Sequence, residues 1–313
     1  MASAFSGASS RASLAPAPRV LAAGRVPGAR APRARASSMA RALTQDELKK
    51  QAAHHAVSYV RSDSVIGLGT GSTAAFAVDR LGDLLASGAL SGVRGVPTSV
   101  RTLEQAASRG IPVDTLDGAP CLSVAIDGAD EVDLSTLDVV KGRGGALLRE
   151  KMVERAAELF VCIVDESKVV EGLGGSTLAV PVEIVRFCHV HTARRVLDAA
   201  AQHAGPGNAA RLVLRGAGPG AGLPDAAGGG VEIRRDALPR GGEGDAAEGL
   251  YVTDNGNLIA DLFFQGPVAD PAALADAIAA VEGVVEHGLF LGMVDVCIVA
   301  GKNGISVHER KRI

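Results

Sequence analysis

The chain has 313 residues, 47% of them hydrophobic, with no Trp, 3% aromatics and a formal net charge of −3. That length can bury a large core and has room for roughly two domains, and the core must be built from Val, Leu, Ile and Ala. The acidic balance argues against a nucleic-acid partner, which needs a basic face, and no apolar run reaches membrane-spanning length. Residues 1–45 contain seven Arg and no Asp or Glu, amid many Ala, Ser and Pro. This is the composition of an organelle transit peptide, and it lacks the continuous apolar core of a secretory signal. Residues 1–43 are therefore expected to be a disordered transit peptide; removing seven positive charges from −3 leaves −10. The four cysteines, Cys121, Cys162, Cys188 and Cys297, lie in or beside apolar segments without CxxC spacing. They are expected to be buried thiols in a reducing compartment, forming neither a disulfide framework nor a zinc site.

The first helix is predicted over Leu43–Val60, with Thr44 and Glu47 spaced as a capping box. Val65–Leu68 is a short strand running into Gly69-Thr70-Gly71-Ser72-Thr73 and then a helix to about Ala86. A strand, glycine turn and helix N-terminus in succession offer unpaired N–H groups to an anion, and the Ser and Thr hydroxyls add donors. A Walker A loop would need Gly-Lys before Ser or Thr, and the dinucleotide fingerprint would need glycine at Ser72 and an acid after the next strand, Val93–Val96. A phosphorylated small molecule fits better than ATP or NAD, although such a loop can also be only a tight connection. Thr98 and Ser99 follow the second strand, where they either border the same cleft or cap the helix Leu103–Arg109.

The third strand, Leu122–Ile126, leads into Asp127-Gly128-Ala129-Asp130, so two carboxylates stand at a strand C-terminus, the ligand end of an open α/β sheet. Their spacing does not match a calcium loop. A strand near Leu137–Val140 then delivers Lys141 into the turn Gly142-Arg143-Gly144-Gly145, whose glycines allow close backbone approach. From Ala146 the spacing of Ala146, Leu147, Val153 and Ala157 marks the buried stripe of a helix, and Glu150 falls within it. A carboxylate on an apolar helix face is costly unless paired, and desolvation raises its pKa toward the range of a general base. The alternative is a boundary residue paired with Arg149, Lys151 or Arg143. Strand Leu159–Val164 places Lys168 at another strand end, available to a phosphate or simply solvated. Beyond Pro181 the elements are a strand at Val182–Val185, a helix at Thr192–Gln202, and a Gly/Ala/Pro-rich stretch, 204–249, around short strands Leu212–Leu214 and Val231–Ile233. A hairpin is predicted over Tyr251–Phe264 around Asn255-Gly256, then a helix over Pro271–Val281 and closing strands Asp295–Ala300 and Ile305–His308. His189 and His191 would diverge by about 200° on a helix, so no metal site is expected there.

Taken in order, GLGTGSTA at 67–74, DGADEVD from Asp127, KGRGGALLREK from Lys141, DESK at 165–168, TDNGN at 253–257 and GVVEHGLF at 283–290 resemble the type A ribose-5-phosphate isomerase family, of the plastid type. The resemblance covers the chain from about residue 44 to near its C-terminus. It implies an α/β fold: an open Rossmann-like sheet domain (44–182 and 289–313) with an inserted smaller ferredoxin-like α+β domain (183–288). It implies interconversion of ribose 5-phosphate and ribulose 5-phosphate through an enediolate, with Glu150 as the base that moves the proton between C2 and C1. Asp127 would assist ring opening and proton movement at oxygen, while Asp130 and Lys141 would position hydroxyls and stabilise charge. The substrate would be held by Thr70, Gly71, Ser72, Thr73, Asp127, Gly128, Ala129, Asp130, Lys141, Gly142, Arg143, Gly144 and Lys168. The scheme needs no metal and no cofactor. A homo-oligomer, commonly a dimer, and the chloroplast stroma, with its carbon-fixation and pentose phosphate chemistry, are implied in the same way; a mitochondrial address shares much of the leader's composition. The rival readings are a sugar-phosphate sensor domain of the same fold, which would carry an N-terminal helix-turn-helix not seen here, and a CoA transferase, whose CoA-binding half is not apparent.

Overall fold

The computed structural model describes residues 43–217, 231–233 and 249–311. The proposed leader, up to residue 42, and positions 218–230 and 234–248 of the Gly/Ala-rich stretch lie outside the described residues. Helix α1 (Gln45–Val57) starts on the capping box: the Glu47 amide donates to Thr44 Oγ1 at 3.3 Å and the Thr44 amide donates to Glu47 Oε2 at 2.8 Å.

Six apolar runs form the main sheet: β1 (Val65–Leu68), β2 (Arg94–Pro97), β3 (Val124–Gly128), β6 (Phe160–Asp165), β14 (Val296–Gly301) and β15 (Gly304–Glu309). Their spatial order is β15-β14-β6-β3-β1-β2, and every pairing is parallel except β14 with the edge strand β15. Both faces are covered, which is why the inner strands read as continuous apolar runs. On one face Ile66, Leu68, Ile126, Ile163 and Ile298 pack with apolar residues of α1 and α2 (Ser72–Ala86). On the other, Ala125, Phe160, Cys162, Val164 and Cys297 pack against a small four-stranded sheet through Val132, Val139 and Phe290. That sheet, β13-β5-β4-β7, consists of β4 (Glu131–Asp133), β5 (Asp138–Val140), β7 (Val169–Val170) and β13 (Leu289–Phe290). Only its β5 was predicted as a strand by itself; strands of two or three residues, one of them reading Glu-Val-Asp, carry no periodic signal. Chain order reverses between β1 and β3, since β2 and β3 lie on opposite sides of β1, and that crevice receives the loops after both strands.

A separate antiparallel sheet is built from a contiguous stretch, β8 (Val180–Ile184), α5 (His189–His203), β9 (Ala210–Leu214), β10 (Val231–Ile233), β11 (Leu258–Phe264), α6 (Pro271–Ala279) and β12 (Val284–His287), in the order β10-β9-β11-β8-β12. Without the edge strand β10 this is the βαββαβ, ferredoxin-like arrangement. Val182, Ile184, Leu212, Leu258 and Leu262 pack with Val196, Ala200, Leu274 and Ile278 of the two helices. Residues 42–313 remain one compact unit.

Two expectations need correction. The turn at Asn255-Gly256 forms, with Gly256 at φ +80° and its amide donating to Thr253 O, but its first arm is no strand. Only the single bridge Val252↔Leu258 closes it, because both edges of β11 are already taken by β8 and β9. All four cysteines are free, but only Cys162 and Cys297 are buried; Cys121 and Cys188 are exposed, because they stand in the connections beside apolar strands and not within them. His189 and His191 both fall in the first turn of α5, one buried and the other exposed. No cluster of His, Cys, Asp or Glu among the described residues is arranged to hold a metal, and no described helix is long and apolar enough to cross a membrane.

Candidate active site

The loop between β1 and α2 is shaped by Asp127. Its Oδ1 accepts the amides of Thr70 at 3.0 Å and Gly128 at 2.6 Å, and a Cβ on Gly69 would land 2.2 Å from its carboxyl carbon. Gly71, at φ +105°, turns the chain into α2, whose N-terminus has no side-chain cap and so keeps free N–H groups at the crevice. The Thr70 hydroxyl lies 2.7 Å from that of Thr98, 2.8 Å from that of Ser99 and 3.1 Å from that of Thr102. Thr98 and Ser99 thus sit behind the loop, and Ser99 also caps α3 (Val100–Ser108) by accepting the Thr102 amide.

This loop, the strand ends after β3 and β5, and helix α4 (Leu147–Arg155) enclose a cavity of about 130 Å³. Thr70, Gly71, Ser72, Thr73, Gly128, Ala129, Asp130, Lys141, Gly142, Gly144, Glu150 and Lys168 all line it, drawn together from five segments of the sequence. Asp127 and Arg143 do not. Asp127 is 1% exposed and acts through Lys141 and the loop amides. The Arg143 guanidinium turns away from the cavity, donating to Glu131 Oε1 at 2.7 Å, Ala179 O at 2.9 Å and Ser176 Oγ at 3.1 Å. It touches the site through Asp130, whose Oδ2 accepts the Arg143 main-chain amide at 2.9 Å and whose carbonyl accepts Nη1 at 3.3 Å. A buried carboxylate at Glu131, in a strand too short to announce itself, captures this arginine.

At the floor, Lys141 Nζ donates to Gly128 O at 2.5 Å and lies 2.9 Å from Asp127 Oδ2, 3.2 Å from Glu154 Oε1 and 3.7 Å from Glu150 Oε2. Burial alone would favour the neutral amine, but the three carboxylates outweigh it and hold the ammonium well above its usual pKa. Burial also raises Glu150; Lys141 opposes this, Asp127 and Asp130 reinforce it, and the carboxyl reaches about 8. Lys141 therefore offsets only part of the upward push. Glu154 is raised well above the ordinary carboxylate range by burial first, with Asp127 and Glu150 adding to it against Lys141. None of the partners first considered for Glu150 pairs with it: Arg149, Lys151 and Arg143 all bind elsewhere.

Two members of the site were missed in the sequence. Lys49 reaches the cavity from α1 and donates to Ser72 Oγ at 3.1 Å; a lysine on a polar helix face looks like any solvated lysine. Glu154 could have been found, because its i, i+4 spacing puts it on the Glu150 face of the helix. The arrangement supplies a carboxyl able to exchange a proton near neutral pH, a buried ammonium beside it, and two lysines with a helix N-terminus at the rim, a combination suited to proton transfer on a small anion.

The chain resembles known proteins over most of its length. Residues 94–304 match the family model for ribose 5-phosphate isomerase A (phosphoriboisomerase A). The chain is 49% identical over 269 residues to a probable ribose-5-phosphate isomerase 3, chloroplastic, of Arabidopsis thaliana, covering 86% of this chain and 85% of that one. It is 45% identical to ribose-5-phosphate isomerase A of Synechococcus sp. (strain JA-3-3Ab), covering 83% and 96%. Among solved structures, ribose 5-phosphate isomerase from Plasmodium falciparum superposes with a TM-score of 0.68 at 35% identity, over 85% of this chain and all of that one. A D-ribose-5-phosphate isomerase in complex with phospho-erythronic acid gives 0.69 at 33%, over 86% and all of that chain. With fold, order of motifs and identity in agreement over most of its length, the chain belongs to the ribose 5-phosphate isomerase A family of enzymes.

Proposed function

We propose that the chain interconverts D-ribose 5-phosphate and D-ribulose 5-phosphate by carboxylate-mediated proton transfer through an enediolate. The observation that carries this reading is Glu150: a 4% exposed carboxyl lining the cavity, 3.7 Å from a buried ammonium. In the forward direction Glu150 takes the proton from C2 of the open-chain sugar and returns it to C1. Charge developing on the oxygens is met by Lys141, whose ammonium is already oriented by Asp127 and Gly128 O, so little reorganisation accompanies the step. Asp127, which does not line the cavity, assists only by holding Lys141 and the loop amides in place, and Asp130 positions hydroxyls. Lys49, Lys168 and the Gly71–Thr73 amides, at the cavity rim, hold the phosphate; the phospho-erythronic acid complex of a structural relative supports a sugar phosphate as the ligand.

Assay of ribose 5-phosphate conversion with and without a chelator tests the scheme directly. Turnover is expected and chelation should leave the rate unchanged, because proton acceptor and charge stabiliser are both side chains of the chain; no turnover would favour a sensor domain. The value of kcat/KM should rise with pH along a limb with an apparent pKa near 8, since the base acts only after losing its proton. At pH 6 it should lie about a hundredfold below its plateau; a limb near 4 would mean a carboxyl base left at its ordinary value, and a limb that persists unchanged in Glu150→Gln would exclude Glu150. Lys168→Ala should chiefly raise KM, by about tenfold, and an unchanged KM would remove Lys168 from the substrate site. Residues 1–43 direct the chain to the plastid stroma, a plastid address being supported by the chloroplastic Arabidopsis relative, and the enzyme works there as a homodimer, serving carbon fixation and the pentose phosphate pathway.

A further inference from the structure

Glu150 is flanked in sequence by two cations, and each is held by the inserted antiparallel unit. Arg149 Nε donates to Asn255 Oδ1 at 2.7 Å, and its Nη2 donates to Asp254 O at 2.8 Å. The turn that receives it is organised by Glu183 of β8, which is fully buried and whose Oε1 accepts Thr253 Oγ1 at 3.0 Å, Asn255 Nδ2 at 3.0 Å and Asn257 Nδ2 at 2.9 Å. The same turn also reaches α3, since Asp254 Oδ2 accepts the Val100 amide at 2.8 Å. On the opposite flank, Lys151 Nζ donates to Glu286 Oε1 at 2.7 Å, His287 O at 2.6 Å and Leu289 O at 3.0 Å, and lies 4.6 Å from the Phe290 ring centroid. All three of its N–H bonds are thereby used.

Helix α4 is seated by the buried Leu147 and Val153 and by Glu154 against Lys141, and its two polar flanks are held as well. It is nine residues long and its N-cap, Ala146, provides no side-chain bond. Successive side chains on a helix point about 100° apart, so bonds from positions 149 and 151 bracket the direction of position 150 from both sides. We propose that Arg149 and Lys151 are positioning residues through which the inserted unit clamps α4, fixing the Glu150 carboxyl against Lys141 and the cavity. The clamp rests on the reading of Glu150 as the base. It gives the TDNGN turn and the buried Glu183 a part in the reaction although neither lines the cavity.

The test uses Arg149→Met, Asn255→Ala and the double variant, at sites where Arg149 is partly exposed and the fold can tolerate the change. Each single variant should lose about ten- to a hundredfold in kcat with KM within threefold, because misplacing a reacting group by about 1 Å costs on that order. Arg149→Lys should lie between parent and Arg149→Met, since one donor replaces a fork. The double variant should be no slower than the worse single, as both remove one shared contact. Asn255→Ala alters no charge, so the groups facing Glu150, namely Lys141, Asp127, Asp130 and Glu154, with Lys49 and Lys168 across the cavity, keep their charges. Its acid limb should nonetheless move below that of the parent as a loosened Glu150 gains water. Parental kcat in Arg149→Met, multiplicative losses, or an unmoved limb in Asn255→Ala with only a lower melting temperature would overturn the clamp. Glu150→Gln run alongside separates the two readings: parental turnover there removes the base, whereas an inactive Glu150→Gln beside a fully active Arg149→Met removes only the clamp.

Discussion

Replacing Glu150 by glutamine should lower kcat for ribose 5-phosphate by about a hundred- to ten-thousandfold, the usual contribution of a positioned acid–base group. The amide keeps the shape of the side chain and its place beside Lys141, so the cavity lining is unchanged while the proposed proton acceptor is gone. Calorimetric titration with a non-reacting sugar phosphate should therefore give a Kd within a few fold of the parent. Near-parental turnover would show that another group removes the C2 proton, and Glu154, on the same helix face, would be examined next. A large rise in Kd with kcat preserved would instead make Glu150 a binding residue.

Lys141→Met should be the most damaging substitution to stability as well as to rate. The ammonium is the shared partner of Asp127, Glu150 and Glu154, whose side chains are 1%, 5% and 1% exposed. Removing one partner from a buried charge network costs about 3–5 kcal/mol when the remaining charges cannot be relieved. Here they can be relieved by protonation, which fixes the sign of the pH dependence. Glu150 already has a folded-state pKa raised to about 8, and loss of Lys141 takes away the main influence holding it down. A carboxyl raised in this way contributes its full stability below the ordinary carboxylate pKa of about 4.3 and loses it as pH climbs toward the folded value. Below about pH 7 Glu150 is protonated in folded parent and variant alike, so their urea midpoints should fall in parallel; the variant should drop further behind from about pH 7 to 9.5, where only the parent's Glu150 can ionise. A gap that stays constant across that range would mean that the loss comes from packing against Phe290, whose ring centroid lies 5.6 Å from Nζ, and not from charge.

How much of this could be read from the chain depends on the length over which each signal repeats. The parallel strands and the helices packed on them declared themselves, because burial on both faces gives an unbroken apolar run and an amphipathic stripe needs about three turns to be recognised. The cavity was legible for a different reason: glycines and charged groups immediately after apolar strands mark the ligand end of an open sheet, and Thr70–Thr73, Asp130, Lys141 and Glu150 indeed meet there. Arg143 was misread because sequence adjacency to Lys141 says nothing about which way a side chain turns, and a buried acid at Glu131 decides it. Lys49 was missed because its relevance arises only when α1 packs beside α2, a contact between segments more than twenty residues apart. The roles of Arg149 and Lys151 lie further off still, resting on residues more than a hundred positions later.

The place of β14 in the main sheet bears on how the chain comes to fold during synthesis. Strand β6 is complete by residue 165, but the neighbour that covers its outer edge begins only at Val296, after the whole inserted unit has been made. For the time a ribosome takes to add about 130 residues, Phe160–Asp165, apolar up to Val164, therefore has an uncovered edge of amides and carbonyls open to any other extended chain. Slower translation would lengthen that exposure, and a holdase bound to nascent chains would be needed most while residues 166–295 emerge.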